Sequence, residues 1–167
     1  VCTVSQDRKD MQELCIHLNI PFVEVDFVKE YWNAVFVPFL ESYQSGIETP
    51  NPDVFCNKHI KFNALRHHVF NNMQVDYLAT GHYVRIGKEV EEEGEEKEEG
   101  GGGGELLLRG VDTSKDQSYF LAMVKQEQLR DVLFPLGNML KSEVKSIAAA
   151  AFEGKATPTG IAVENHC

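Results

Sequence analysis

The sequence predicts an α/β fold built on a parallel sheet. Helical and strand periodicities alternate as helix, strand, helix, helix, strand, the rhythm of a sheet with crossover helices. A chain of 167 residues, 43% of them apolar, suits one domain with its own core. The strand pattern over 75–80 runs into Thr80-Gly81-His82, and in parallel sheets ligands bind beyond the carboxyl ends of the strands.

Each element has its own signal. Met11, Leu14, Cys15 and Leu18 recur at helical spacing and predict an amphipathic helix over 6–18, stopped by Asn19-Ile20-Pro21. Residues 22–27 are rich in β-formers and read as a strand. Val28, Tyr31, Trp32, Val35, Phe36, Phe39, Leu40 and Tyr43 form a long helical stripe whose aromatics read as core, with Pro38 as a kink. A helix over 57–72 sets Phe62, Leu65 and Val69 on one side, and a short strand over 75–80 follows. Residues 83–86 and 106–108 read as the arms of a hairpin. Between them, 87–104 is a Glu- and Gly-rich insert that cannot bury surface and is expected to be disordered. Helices are predicted over 117–132 and 142–152. The domain thus covers 1–152, and 153–167 reads as an irregular tail.

The net charge of −10 argues against simple electrostatic binding to nucleic acid. The charge is uneven, however. Residues 88–99 hold eight Glu and two Lys, a net of −6, which leaves −4 for the rest. Residues 56–72 contain Lys58, Lys61, Arg66 and three histidines without an acid, so a local basic helix could meet phosphates; its plainer reading is a solvated helix face. No run of 18 apolar residues predicts a membrane span, and no basic-then-apolar leader follows Val1. Cys2, Cys15, Cys56 and Cys167 show neither metal-knuckle nor CxxC spacing, so no metal site is predicted, and Cys15 falls on an apolar stripe.

The segment Thr49-Pro50-Asn51-Pro52-Asp53-Val54-Phe55-Cys56-Asn57-Lys58-His59-Ile60-Lys61-Phe62 carries the chemistry. Its prolines hold an extended approach to a helix. Cys56 falls near the helix N-terminus, where unpaired N–H groups and the dipole favour thiolate. Asp53 lies three residues earlier, about one turn away, as a proton acceptor or donor. The alternative reading is an inert buried cysteine.

This segment resembles the first-cysteine motif of the tRNA-specific 2-thiouridylases of bacteria and mitochondria. Three further stretches resemble that family in the same order: Ala79-Thr80-Gly81-His82-Tyr83, Lys115-Asp116-Gln117-Ser118-Tyr119-Phe120-Leu121, and Phe134-Pro135-Leu136-Gly137 with Lys141. The resemblance implies a three-layer, adenine-nucleotide α-hydrolase-like domain of the ATP pyrophosphatase type. It implies ATP-dependent, Mg-assisted adenylation of the wobble-uridine C2 oxygen, then sulfur transfer from a cysteine persulfide to give 2-thiouridine. By it, Cys56 matches the first catalytic cysteine and Asp53 an acid/base. Asn51, Pro52 and Asp53 match a triplet meeting the target base; Gly81 matches an ATP contact, though spacing alone makes it a turn glycine. Lys115, Asp116 and Gln117 match a tRNA-contacting triplet. The implied partners are the tRNA anticodon loop and a persulfide donor protein, with no membrane. A disulfide bond and a mitochondrial location are implied too, the location becoming cytoplasmic if the chain is bacterial.

Two family features are not found in this sequence. The Ser-Gly-Gly-x-Asp-Ser phosphate loop is absent, and Pro158-Thr159-Gly160-Ile161-Ala162 carries alanine where the second, persulfide-bearing cysteine stands. Cys167 lies five residues on. The expected reading is an internal fragment, N-terminally truncated and inactive as it stands. The alternatives are a degenerate tRNA-binding adaptor, or an ATP pyrophosphatase-type ligase with another substrate. Because no glycine run here builds a backbone anion nest ahead of a helix, residues 1–167 alone are expected not to bind ATP at micromolar concentration. Calorimetry checks this, and a micromolar Kd would overturn it.

Overall fold

The computed structural model describes residues 4–46, 50–88 and 105–151. They divide into two compact units, one of residues 4–26 with 148–151, the other of residues 27–147.

In the first unit, α1 (Val4–Leu18) ends where the sequence predicts. Asn19 adopts a left-handed φ of 53°, Asn19 N–H donates to the Ile16 carbonyl at 3.1 Å, and Ile20 N–H to that of Cys15 at 2.9 Å. This is the six-to-one and five-to-two closure by which Gly or Asn terminates a helix. Cys15 is buried, as its place on the stripe predicts. The predicted strand over 22–27 does not form. Strand conformation is held by a shared ladder, and among the described residues no strand forms a ladder with this segment.

The second unit begins with an unbroken helical run of α2 (Val28–Tyr31), a π-helical stretch Trp32–Phe36 and α3 (Val37–Ser45). Val37 N–H reaches back five residues to the Trp32 carbonyl. Pro38 follows at once; it has no N–H to give and its ring crowds the preceding turn, so the helix widens where a kink was expected. Val35 is fully buried, but Trp32 and Tyr43 are 55% and 71% exposed. The aromatic stripe read as core is therefore only partly core, because no described element covers its outer side.

The cysteine-bearing helix starts earlier than predicted. It comprises α4 (Pro52–Cys56), a nine-residue π-helical stretch Asn57–Leu65 and α5 (Arg66–Asn72). The strand β1 (Leu78–Ala79) is shorter than predicted and pairs in parallel with β4 (Val132–Leu133), Leu78 opposite Val132. The hairpin arms form as expected: β2 (Val84–Lys88) runs antiparallel to β3 (Glu105–Arg109), Val84 opposite Arg109. Gly87 and Lys88 belong to β2; the rest of the predicted insert, 89–104, and the predicted tail lie outside the described residues.

The single helix predicted over 117–132 is overturned. That stretch forms a 3-10 turn (Ser118–Leu121), α6 (Gln126–Leu129) and β4. Lys125 opens α6 through a reciprocal cap with Gln128, and Asp131 turns left-handed at φ 62° ahead of β4. Local capping and strand pairing override the helical spacing of the apolar residues. α7 (Lys141–Ala151) forms as predicted.

Phe62, Val84, Leu121, Leu129 and Val132 make the main core, joined by Leu78, Phe120 and Phe134. Gln128 binds α6 to the π-helical stretch: its Nε2 donates to the carbonyls of Lys58 at 3.2 Å and Phe62 at 3.1 Å. Glycine is required at 137, where a Cβ would stand 2.7 Å from the Val84 carbonyl carbon and closer still to its oxygen. Gly137→Ala is therefore expected to destabilise the full chain by about 3 kcal/mol. A Cβ at Gly87 meets only the tip of the Leu108 side chain, so Gly87→Ala is expected to cost less than about 1 kcal/mol. Thermal denaturation of the two variants compares them, and equal losses would refute the backbone-clash account.

Candidate active site

Asn51 opens the cysteine-bearing helix. Its backbone is extended, and its Oδ1 accepts the Asp53 N–H at 3.0 Å. Pro52 holds the first helical position, where a missing N–H is harmless. Asn51 is thus an N-cap, and Asp53 stands in the first turn, where the helix dipole favours a carboxylate. Asp53 is exposed and acts on Lys61: burial lowers the Lys61 pKa, and the Asp53 charge partly opposes that.

Cys56 closes α4 and is buried with Val35 and Ile60, flanked by Phe27, Tyr31 and Phe55. The polar, helix-start environment expected for it is not what the fold provides. Cys56 and Ile60 are four residues apart and share a helix face, and that face meets Val35. Cys56 is disulfide-bonded, whereas Cys15 is free. Thr49, Cys2, Cys167 and the 158–162 stretch lie outside the described residues.

The other expected site residues divide by exposure. Gly81 is exposed, two residues past the end of β1. Thr80 N–H donates to the Leu133 carbonyl at 3.0 Å, so the parallel pairing reaches the motif itself. Lys115 is exposed, but Asp116 and Gln117 turn inward. Asp116 accepts from Gly110 N–H at 2.9 Å and from the Ser118 hydroxyl at 2.8 Å. Burial pushes its pKa up, and these bonds together outweigh burial and hold it below the usual carboxylate value. Gln117 accepts the Tyr83 N–H at 3.0 Å on its Oε1 and donates its own N–H to the Tyr83 carbonyl at 3.2 Å. Arg66, on the basic helix, donates to the Arg130 carbonyl at 3.1 Å and lies over the Phe70 ring, so part of that basic face serves the fold.

Two residues inside the quoted motifs were not singled out in sequence. Asn57 and His82 are 2% and 3% exposed. Asn57 Nδ2 donates to the Phe120 carbonyl at 3.1 Å, which leaves its Oδ1 facing His82 Nε2 at 3.2 Å. An amide oxygen only accepts, so Nε2 carries the ring proton, and Nδ1 accepts from the Thr80 hydroxyl at 2.9 Å. Phe62 and Phe134 flank the ring, with centroids 5.5 and 6.3 Å from it. The only sequence signal for this pair was two polar residues at the edges of apolar motif text.

A helix bearing Asp53 and Cys56, fastened beside the carboxyl end of a parallel strand, suits a nucleotide-dependent enzyme of the α/β class. The model of the tRNA methyl transferase HUP domain matches residues 1–157. The chain is 48% identical over 148 residues to the tRNA-specific 2-thiouridylase MnmA of Staphylococcus aureus strain JH9, and equally to that of strain Newman. Each match covers 89% of this chain but 36% of the relative, so the chain spans about a third of their length. The chain belongs to the tRNA methyl transferase HUP domain family, and the adenine-nucleotide α-hydrolase-like class expected from the sequence is the class of that family. These relatives are bacterial, which lends the mitochondrial location no support. Among the described residues no helix is long and apolar enough to cross a membrane.

Burial, and secondarily Lys61, pushes the His82 pKa down to about 4. A histidine whose folded pKa lies below its unfolded value near 6.5 adds stability above that value and loses it as pH falls toward the folded one. Stability is therefore expected to drop by up to about 3 kcal/mol between pH 6.5 and pH 4, and His82→Gln is expected to flatten that slope. Ring NMR shifts that stay constant down to pH 5 agree with this; a ring titrating near 6.5 would refute it.

Proposed function

We propose that this chain is the part of a tRNA 2-thiouridylase that presents the target base to its sulfur chemistry. One observation carries the reading: the Asn51-capped helix bearing Asp53 and Cys56 is hydrogen-bonded, through Asn57 and His82, to the carboxyl end of β1 beside Gly81. Activation and sulfur delivery need those two ends together. The family name speaks of methyl transfer and the relatives' names of thiolation; a cysteine and a carboxylate on one helix favour the latter.

ATP is a substrate in this reading, with magnesium as its counter-ion, and Gly81 would border it. Adenylation makes C2 of the wobble uridine electrophilic, and AMP is its leaving group. Asn51, Pro52 and Asp53 at the exposed helix start would meet the base, and Asp53 would take up or return its proton. Lys115 would meet tRNA phosphate, while Asp116 and Gln117 shape the turn that presents it. A persulfide donor protein would load the sulfur on a second cysteine. After the terminal sulfur has bonded to C2 and AMP has left, the remaining S–S bond must be broken. A Cys56 thiolate attacking the carrier sulfur releases the thiocarbonyl and leaves a disulfide.

In the full-length parent enzyme, with the phosphate loop restored, Cys56→Ser is expected to lower 2-thiouridine formation by at least about a thousandfold while tRNA affinity stays within about threefold. Nucleoside mass spectrometry and filter binding measure the two. Thiolation surviving within tenfold of wild type would remove Cys56 from the chemistry; tRNA binding with no thiolation by wild type would point to an adaptor.

A further inference from the structure

We propose that Asp112 is a positioning residue for RNA binding: its carboxylate fastens the turn that carries Lys115 to the start of α7. This rests on the reading that Lys115 meets tRNA phosphate. One oxygen shapes the turn and the other holds the helix. Asp112 Oδ1 accepts the Ser114 N–H at 3.1 Å and the Ser114 hydroxyl at 2.7 Å. Lys115 N–H closes the turn on the Asp112 carbonyl at 3.0 Å. Asp112 Oδ2 accepts the N–H of Lys141, 29 residues on, at 2.9 Å. These bonds, that of Lys141 first, hold the carboxyl below the usual carboxylate value.

The start of α7 explains the link. Lys141 is its first residue, and its N–H is one of those that a helix leaves without an internal partner. Leu140 stands at the cap position, where Ser, Thr, Asn or Asp accept a bond from the first turn, and a leucine side chain accepts nothing. Glu143 supplies half of a capping box by taking the Leu140 N–H at 2.7 Å. Asp112 supplies, from another segment, the first-turn acceptor that Leu140 lacks. Val111 N–H donates to the Gly137 carbonyl at 2.9 Å, so the turn is tied to the 137–141 stretch at two places. The same arrangement leaves the cations of the turn outward. Lys115 is exposed, and Arg109, 4.0 Å from Asp116, is exposed over 83% of its side chain. Asp112 and Asp116 are spent on N–H and hydroxyl groups of their own fold.

Charge and position pull tRNA affinity in opposite directions here, and that gives the test. Lys115 is near enough for its charge to act on Asp112, so removing the carboxylate would, on charge alone, tighten binding to phosphate. Asparagine keeps one acceptor oxygen and can hold Ser114 or Lys141 but not both. In the full-length parent enzyme, Asp112→Asn is therefore expected to raise the tRNA Kd at least about fivefold. The slope of log affinity against log salt is expected to fall by about 0.7–0.9, the loss of one phosphate contact. In thiolation assays the loss is expected in KM for tRNA far more than in kcat. In a Lys115→Ala background the same substitution is expected to change Kd less than about twofold, because the two residues act through one contact. Unchanged or tighter binding by Asp112→Asn, or losses that add in the double variant, would overturn the proposal. Should Asp112→Asn fail to fold, Ser114→Ala loosens the turn, leaves the Lys141 bond, and takes its place in both comparisons with the same outcomes deciding. Wild type that binds no tRNA, or Lys115→Ala that binds it as wild type does, would instead refute the functional reading of Lys115. Amide hydrogen exchange then decides the link by itself. Asp112→Asn is expected to speed exchange at 114–115 and 141–144 together, and faster exchange at only one of the two would overturn it.

Discussion

Asn57 and His82 are withdrawn from water almost entirely, and a buried polar group left without a partner costs about 1–3 kcal/mol. That penalty dictates much of the candidate site. The amide has one donor direction and one acceptor direction in use, and each is matched only when the cysteine-bearing helix, the β1 end and the 118–121 turn stand in one arrangement. Phe62 and Phe134 exclude water from the ring, which keeps the imidazole neutral and makes its tautomer definite. The hydrogen bonds and the aromatic packing are mutually dependent: opening either exposes the other.

The helix that carries Asp53 and Cys56 shows how such a site is held. Its start is set locally, by Asn51 capping and Pro52 at the first position. Its middle is set at a distance, because a π-helical stretch depends on contacts from other elements, and Gln128 and Asn57 make them. The result presents Asp53 outward while turning Cys56 into an apolar cluster. Cys56 packs there against Val35 and Ile60, with Phe27, Tyr31 and Phe55 around it.

Much of this was legible in the sequence. Helical spacing located α1, the α2–α3 run and α7, and the Asn51-Pro52-Asp53 order carries the physics of a helix start. The two arms of the hairpin were legible because their β-forming residues flank text that cannot bury surface. These features are local: propensity and capping act within a turn or two of the residue that encodes them. The motif residues Asn51, Asp53, Cys56, Gly81 and Lys115 could be named from sequence alone, although their roles remain proposals.

What failed did so where distant partners decide. The 22–27 segment has a strand's composition but no described strand to form a ladder with. The 117–132 segment has a helix's spacing, yet Asp116, the Lys125–Gln128 cap and the left-handed Asp131 divide it. Trp32 lies on an apolar stripe and is still half exposed. Sequence by itself determined the α/β class, the places of α1 and α7 and the residues from which a site could be built. Tertiary structure alone decided that Cys56 is buried, that Asp116 and Gln117 face inward, and that Asn57 meets His82 across 25 residues of chain. Burial and hydrogen-bond pairing depend on the elements that fold back onto a residue, and a linear pattern does not contain them.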